Sequence, residues 1–274
     1  LEGMFGTAIV KRGRTFVGFT PEGEQVLASA QRILREQELL QQDLRSSAGQ
    51  PQGRLVIGAV PTAMPVAARF AAMLQARHGG IQLVLRSMSS PEIELGLETL
   101  SIDLGLGYID RVDRQSKRFE VLPQYTEHYY LLRKAQQPAQ EGLRLLDPLP
   151  WQQAAQQPLC LLTPEMHYRR IVDGALSQAG FEFQPAIETN CILSLALTVL
   201  DGAVCSILPG ALVAAVRAYG ELEAAPLIGP ELRTPIGFMA PVTARTARTL
   251  QAALDFLNDA QWQQHASGHS GTLV

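Results

Sequence analysis

No run of apolar residues in this chain approaches the roughly 18–20 that a membrane-spanning helix needs, so nothing in the sequence reads as a bilayer segment. Cysteine is scarce. Cys160, Cys191 and Cys205 lie far apart and form no C-x-x-C pair, which removes a disulfide scaffold and a thiol-based metal cluster. All three sit in apolar segments and read as buried, reduced thiols, with cytosol as the expected compartment and no signal peptide in view. The histidines, His78, His128, His167, His265 and His269, build neither H-E-x-x-H nor a Cys/His ligand set. Gly105 and Gly107 have no third glycine for a dinucleotide loop, and there is no Walker A or G-x-S-x-G sequence. Gly268–Gly271 contains a serine, but in a polar tail expected to be disordered. No catalytic residue, cofactor or metal is therefore expected. Net charge is only −3, so the body as a whole is no polyanion binder; affinity for nucleic acid has to be local.

What is present is organised around one stretch, Thr20 to Arg45. Thr20 can cap a first helical turn, and Pro21 suits the first helical position, where its missing N–H is no loss. Glu22 and Glu24 favour the positive end of the helix dipole. No further Gly or Pro interrupts the segment after Gly23. Val26, Ala30, Ile33, Gln37, Leu40 and Leu44 recur at alternating spacings of four and three, a heptad seam that asks for a partner helix. Gln37 either fixes the register of such a seam or faces solvent. The segment 46–53, rich in Ser, Gly, Gln and Pro, reads as a linker. Ahead of the helix, residues 1–19 hold two short strands around the basic turn of Lys11, Arg12, Gly13 and Arg14.

After the linker the chain alternates strands and helices. The order is strand Leu55–Val60, helix Pro65–Arg77, strand Ile81–Arg86, helix Glu92–Leu100 and strand Ile102–Leu106. This pattern predicts parallel strands with right-handed crossovers. Ligands of such sheets gather at the carboxyl ends of the strands, which here places Thr62, Ser89, Ser90 and Tyr108 around a mouth. Thr62 is also expected at a helix N-terminus, where free amides favour an anion. A second lobe follows, with strands Tyr129–Arg133, Leu159–Leu162, Ala186–Thr189 and Val204–Leu208. Helices are expected at Arg169–Ala179 and Ile192–Leu200, and a short one near Trp151. Strand Pro235–Ala240 is expected beside Tyr129–Arg133, and a last helix, Thr243–Asn258, returns to the first lobe.

These residues carry a resemblance. Leu1-Glu2, Phe5-Gly6, Val10-Lys11-Arg12, Arg14 and Phe19-Thr20-Pro21-Glu22-Gly23 before a long helix look like the end of the DNA-binding domain of LysR-type transcriptional regulators. Phe19 stands where that family has Leu, and residues 3–7 are a variant of its usual turn. Ile102-Asp103-Leu104-Gly105 and Asp201-Gly202 through Leu208-Pro209 look like two further signatures of its effector domain. The resemblance reaches to about residue 262. It implies an α/β fold in three parts: a remnant of a winged helix-turn-helix, a long linker helix, and a two-lobed effector domain like the periplasmic binding proteins. The corresponding division is a wing remnant at 1–19, a linker and dimerisation helix at 20–48, the first lobe at 49–127, the second at 128–241, a return helix at 242–262 and a flexible tail at 263–274. The helices that read bases would lie upstream of Leu1.

The resemblance implies a ligand-responsive regulator, not an enzyme, with double-stranded DNA, a small effector and itself as partners, as a homodimer or homotetramer, and no membrane. Lys11, Arg12 and Arg14 would touch phosphates from the wing, and the heptad seam would join the dimer. In the cleft, Met166, His167 and Tyr168 would close over the ligand from the second lobe and Asn190 would hydrogen-bond it. Arg169 or Arg170 would supply a positive charge for a small anionic metabolite. The run from Leu162 to Arg170 also looks like a subgroup of these regulators found beside formate dehydrogenase genes. Ligand between the lobes would change their angle, and the linker helices would pass this to DNA. Two other classes share the clamshell: a transport-type solute-binding protein, which would not need the heptad helix, and a tetrapyrrole-assembling deaminase, which would need a modified Cys on a loop.

Overall fold

The computed structural model of the chain describes residues 1–13, 17–45, 50–111, 118–181, 183–242 and 245–268. It opens with a single helical turn, α1 (Glu2–Phe5), and two short antiparallel strands, β1 (Val10–Lys11) and β2 (Gly18–Phe19). Glu2 ties these pieces together. Its Oε1 accepts the Ile9 and Val10 amides at 2.8 and 3.0 Å, and Arg12 donates to its Oε2 at 2.7 Å. Those donors, the backbone amides first, hold the Glu2 carboxyl down at about 2.

Helix α2 (Pro21–Arg45) begins where the sequence places it. Thr20 Oγ1 accepts the Gly23 amide at 3.0 Å and donates to the Ala8 carbonyl at 2.6 Å, so one hydroxyl caps the helix and anchors the segment before it. Gly23 has a steric cause: a Cβ there would stand 2.0 Å from the Ile9 carbonyl oxygen. The far end of α2 is docked on the first lobe by Leu39 and Gln42, both buried. Gln42 Nε2 donates to the Arg54 carbonyl at 3.3 Å, and its Oε1 accepts from Thr249 Oγ1 at 3.1 Å. The seam of Val26, Ala30, Ile33, Gln37, Leu40 and Leu44 is left largely uncovered by its own chain. Ile33, Leu40 and Leu44 are 69%, 52% and 78% exposed, and Ala30 and Gln37 also face solvent.

The first lobe then forms in the order expected, β3 (Gly53–Ala59), α3 (Met64–Arg77), β4 (Ile81–Ser87), α4 (Ser90–Glu98) and β5 (Leu104–Tyr108). β3 pairs parallel with both β4 and β5; β3 and β5 are apolar and buried along most of their length, while β4 forms the partly exposed edge. A strand absent from the sequence reading, β6 (Phe119–Glu127), carries the chain to the lobe boundary.

The second lobe contains β7 (Tyr129–Lys134), β8 (Arg144–Leu145), β9 (Leu149–Pro150), α5 (Trp151–Ala155), β10 (Cys160–Leu162), α6 (His167–Gln178), β11 (Ile187–Thr189), α7 (Ile192–Asp201), β12 (Ser206–Pro209), α8 (Gly210–Ala215) and β13 (Leu222–Ile228). Its sheet runs β12-β7-β13-β8, with β9 also on β13. The parallel pair β10-β11 is joined to it by the bridge Leu159–Cys205. Cys160 and Cys205 are buried, but Cys191 is exposed ahead of α7, against the expectation of three buried thiols.

The chain returns through β14 (Thr234–Pro241), and here the sequence reading is corrected. β14 does not lie beside β7. Both edges of β7 are taken by β12 and β13, and β14 instead runs antiparallel between β5 and β6 of the first lobe. Its first residue, Thr234, faces Glu127, so the strand re-enters the first lobe as soon as it begins. Two helices close the lobe, α9 (Arg248–Leu257) and α10 (Ala260–Ser267). The flexible tail expected from residue 263 is corrected over 263–267, which are helical; residues 269–274 lie outside the described residues. α10 forms because Trp262 has a place to go. It is fully buried against Phe70 with ring centroids 4.9 Å apart, and its Nε1 donates to Gln124 Oε1 at 2.7 Å.

Candidate functional site

The strand ends of the first lobe meet the start of α6 across the lobe boundary. After β3 the chain makes a tight turn, Pro61–Ala63, that presents Thr62 to the boundary. Thr62 is 1% exposed, and its Oγ1 lies 3.0 Å from Tyr108 Oη. It stands in the turn that leads directly into α3, and its hydroxyl is paired with a phenol. Ser89 precedes α4, where its amide and its Oγ both donate to Glu92 Oε2, at 2.7 and 2.8 Å. Ser90, the next residue, is buried. From the second lobe the His167 ring stands edge-on to Tyr108, centroids 4.7 Å apart, and Tyr168 stacks on Tyr129 at 6.0 Å while donating its hydroxyl proton to the Ile207 carbonyl.

Thr62, Ser89, Ser90, Tyr108, Met166, His167 and Tyr168 line one cavity, together with Val60, Pro61 and Leu162. Its volume is about 10 Å³, about what a single water needs, so the lobes are closed on each other here. Asn190 is not among the lining residues; it is exposed beyond the end of β11.

Two groups that the sequence reading did not single out complete the electrostatics. Arg111 ends the turn after β5. Its Nη1 lies 3.2 Å from His167 Nδ1, and its Nε is 3.6 Å from a Glu94 carboxylate oxygen. Since a guanidinium only donates, His167 Nδ1 accepts and the ring carries its proton on Nε2. Burial, and next the Arg111 charge, push the His167 pKa below its ordinary value, in keeping with a neutral ring. The second group is Glu127 at the end of β6, 1% exposed and bonded through one oxygen to Tyr125 Oη at 3.0 Å.

Unsatisfied polar atoms concentrate at this boundary. Among the described residues, four buried side-chain polar atoms have no hydrogen-bond partner: Ser90 Oγ, Arg111 Nε, Glu127 Oε2 and Trp151 Nε1. Ser90 lines the cavity, and Arg111 bonds the lining residue His167. A buried polar group without a partner costs about 1–3 kcal/mol, so a cleft that keeps several is built to satisfy them some other way.

Other expected charges are placed elsewhere. Arg169 is buried and committed to Asp173, Glu188 and the Leu162 carbonyl, so it holds α6 on β10 and β11 rather than serving the cleft, and Arg170 is exposed. Lys11 and Arg12 are exposed at the hairpin, and Arg14 lies outside the described residues. A larger open groove of about 360 Å³ on the first lobe is lined by residues including Gln50, Arg77, His78 and Arg248. Arg77 there already pairs with Asp259 and lies over the Phe256 ring at 5.8 Å, and none of the orphaned atoms belongs to that groove. Among the described residues no group of three or more His, Cys, Asp or Glu is placed to hold a metal ion, and no helix is long and apolar enough to cross a membrane.

Comparison with known proteins gives the same two lobes a family. The family model described as LysR substrate binding domain matches residues 48–262. An uncharacterized HTH-type transcriptional regulator of Escherichia coli (strain K12), YdcI, is 27% identical over 249 residues, spanning 89% of this chain and 78% of the relative. A full-length OxyR variant from Pseudomonas aeruginosa superposes with a TM-score of 0.67 at 19% identity, over 93% of this chain and 84% of the other. Full-length CbnR complexed with its target DNA gives 0.66 at 20% identity, over 93% and 85%. The chain accordingly belongs to the LysR substrate-binding family, the effector-binding part of ligand-responsive transcriptional regulators.

Proposed function

We propose that the cleft between the lobes senses a small anionic metabolite, a carboxylate in the first instance, and that α2 relays its binding to DNA. The observation that carries this reading is the set of donors left waiting at the lobe boundary. Ser90 Oγ is buried and unpartnered, and Arg111 Nε is buried without a hydrogen bond, 3.6 Å from its ion-pair partner Glu94, beside the Thr62 and Tyr108 hydroxyls and the neutral His167. An anion placed between them would satisfy these first-lobe donors, through charge-assisted bonds to Arg111 and hydroxyl bonds to Ser90 and Thr62, and would meet the His167 ring of the second lobe. Because the cavity is so small, admission requires the lobes to part, which couples ligand binding to the lobe angle.

In this reading residues 1–19 are the wing remnant of a winged helix-turn-helix, and Lys11, Arg12 and Arg14 contact phosphates. The linker at 20–48 joins two copies through the uncovered seam of α2, and the docking of Leu39 and Gln42 makes α2 move with the first lobe. Residues 49–127 and 128–241, with the returning 242–262, carry the sensor, and the protein works in the cytoplasm without enzymatic activity. Formate is a ligand to test, given the likeness of residues 162–170 to regulators encoded beside formate dehydrogenases.

A thermal-shift screen against small carboxylates, formate included, tests the reading. A ligand at a hundredfold excess over its Kd raises stability by about 2.7 kcal/mol, which is easily seen. Stabilisation by a carboxylate that is lost in Arg111→Ala and in Thr62→Ala supports it. Stabilisation that survives both substitutions places the ligand elsewhere.

A further inference from the structure

His167 walls the cavity from the second lobe and is bonded to a charged side chain of the first. It is the first residue of α6, so the second lobe carries its ring, whereas Arg111 ends the turn after β5. The contact of 3.2 Å between Arg111 Nη1 and His167 Nδ1 therefore crosses the lobe boundary. On its own lobe Arg111 is held by Glu94 of α4, whose carboxylate lies 3.6 Å from its Nε.

A guanidinium offers donors only and keeps its charge, so this contact exists only while His167 is neutral. A protonated ring would turn an N–H toward the N–H groups of Arg111 and bring two cations to hydrogen-bond distance. The other groups at the ring leave that balance in place. Tyr108 of β5 stands edge-on with centroids 4.7 Å apart and is neutral, because burial pushes its phenol well up. Asp110 of the same turn favours a charged ring, while Arg170 of α6 opposes it. Burial is the largest influence and Arg111 the next, and the net direction is below the ordinary histidine value.

A cavity of about 10 Å³ has no room for a carboxylate, so an entering anion has to separate Arg111 from His167. Each group then bonds the anion in place of the other. Nδ1 has lost its donor and faces a negative charge, against which a proton on Nδ1 makes a charge-assisted bond. An anion within hydrogen-bond reach favours the charged imidazole, the reverse of what Arg111 does in the empty cleft.

We propose, on the anion-sensing reading above, that Arg111 and His167 form a latch across the empty cleft, and that the carboxylate which breaks it binds together with one proton, taken from solvent onto His167 Nδ1. No covalent bond of the ligand changes. One negative charge and one proton enter together, and Arg111 stays a cation throughout. The sensor thus reads its anion more strongly in acid, and the ring that shuts the cleft becomes a donor to the ligand.

Isothermal titration of the full chain with formate, acetate and oxalate between about pH 5.5 and 8, in buffers of different ionisation heat, counts the protons taken up. Wild-type affinity is expected to rise as pH falls, by up to about tenfold per unit, with uptake approaching one proton per anion. His167→Gln stays polar but cannot be protonated; its affinity is expected to be level with pH and its uptake near zero. Nitrogen NMR of the histidine rings without ligand, with His167→Gln assigning the signal, is expected to find His167 neutral at neutral pH with its proton on Nε2, and titrating at higher pH in Arg111→Gln. A proton on Nδ1, or a titration that Arg111→Gln leaves in place, overturns the latch whether or not any ligand binds. Wild-type binding without proton uptake, or a pH slope that survives in His167→Gln, overturns the coupling yet leaves the anion sensor standing. If none of the three anions binds at any pH, both readings fall.

Discussion

Glu127→Gln changes one oxygen for one nitrogen in a buried carboxyl that has no ion pair among the described residues, so its effect on stability is a clean test of the electrostatics. Without ligand, the folded protein holds a proton on Glu127 up to about pH 8, whereas the unfolded chain releases it near 4.5. A raised carboxyl pKa means the folded state binds more protons than the unfolded one in that window. The contribution of Glu127 is then fully present below about 4.5 and is lost as pH rises through about 8. Each unit of the interval weakens wild type by about 1.4 kcal/mol relative to a neutral isostere, with a ceiling of about 5 kcal/mol over the whole of it. Gln keeps the acceptor that Tyr125 bonds and places an amide where the acid proton stands, so the two proteins differ chiefly in ionisation. Urea unfolding of both at about pH 5.5 and 7.5 is the assay. The stability of wild type minus that of the variant is expected to fall by about 2–3 kcal/mol between those points and to stop falling above about 8. Parallel profiles would refute the buried neutral acid.

Three further predictions concern the frame that holds the site. Gln42→Ala removes the bridge between Thr249 and the Arg54 carbonyl; a loss of about 1–2 kcal/mol is expected, with faster hydrogen exchange in the last turns of α2. Trp262→Ala empties a site packed on Phe70, Phe238 and Phe256 and is expected to cost about 3–5 kcal/mol by denaturant titration; a change under about 1 kcal/mol would mean α10 is not part of the first-lobe core. Leu40→Asp places a charge in the uncovered seam of α2 and is expected to turn an oligomer into monomers by light scattering, with the fold of each lobe unchanged in circular dichroism.

The readable parts of this chain were those fixed by local chemistry. The Thr20-Pro21-Glu22-Gly23 start of α2 is a capping pattern that tertiary packing did not override. The parallel β3-β4-β5 core followed from apolar runs separated by helices of ordinary length. The placement of β14 was not readable, because an apolar strand states its own burial and not its partner; the competition of β12 and β13 for β7 decides it. Asn190 was placed by its position at a strand end, but β11 is a short edge strand and directs that end to solvent. Arg111 was not singled out, because it gains significance only when His167 arrives from the other lobe. Glu127 left a trace that could have been followed: one acid in a strand run flanked by Tyr125, Tyr129 and Tyr130 at a lobe crossing is poorly suited to a solvated face. Periodicity singled out Gln37 of the seam, yet Gln42 is the buried glutamine, because the docking of α2 on α9 decides which one is covered.

The most direct test of the sensor is hydrogen exchange of the full chain with and without a carboxylate found to stabilise it. Binding in the cleft predicts simultaneous protection in both lobes, at 60–63 and 89–92 in the first and at 166–169 in the second, with a smaller change at the α2 turn that carries Leu39 and Gln42. Protection confined to the groove around Arg77, His78 and Arg248, with the lobe boundary unchanged, would contradict the account.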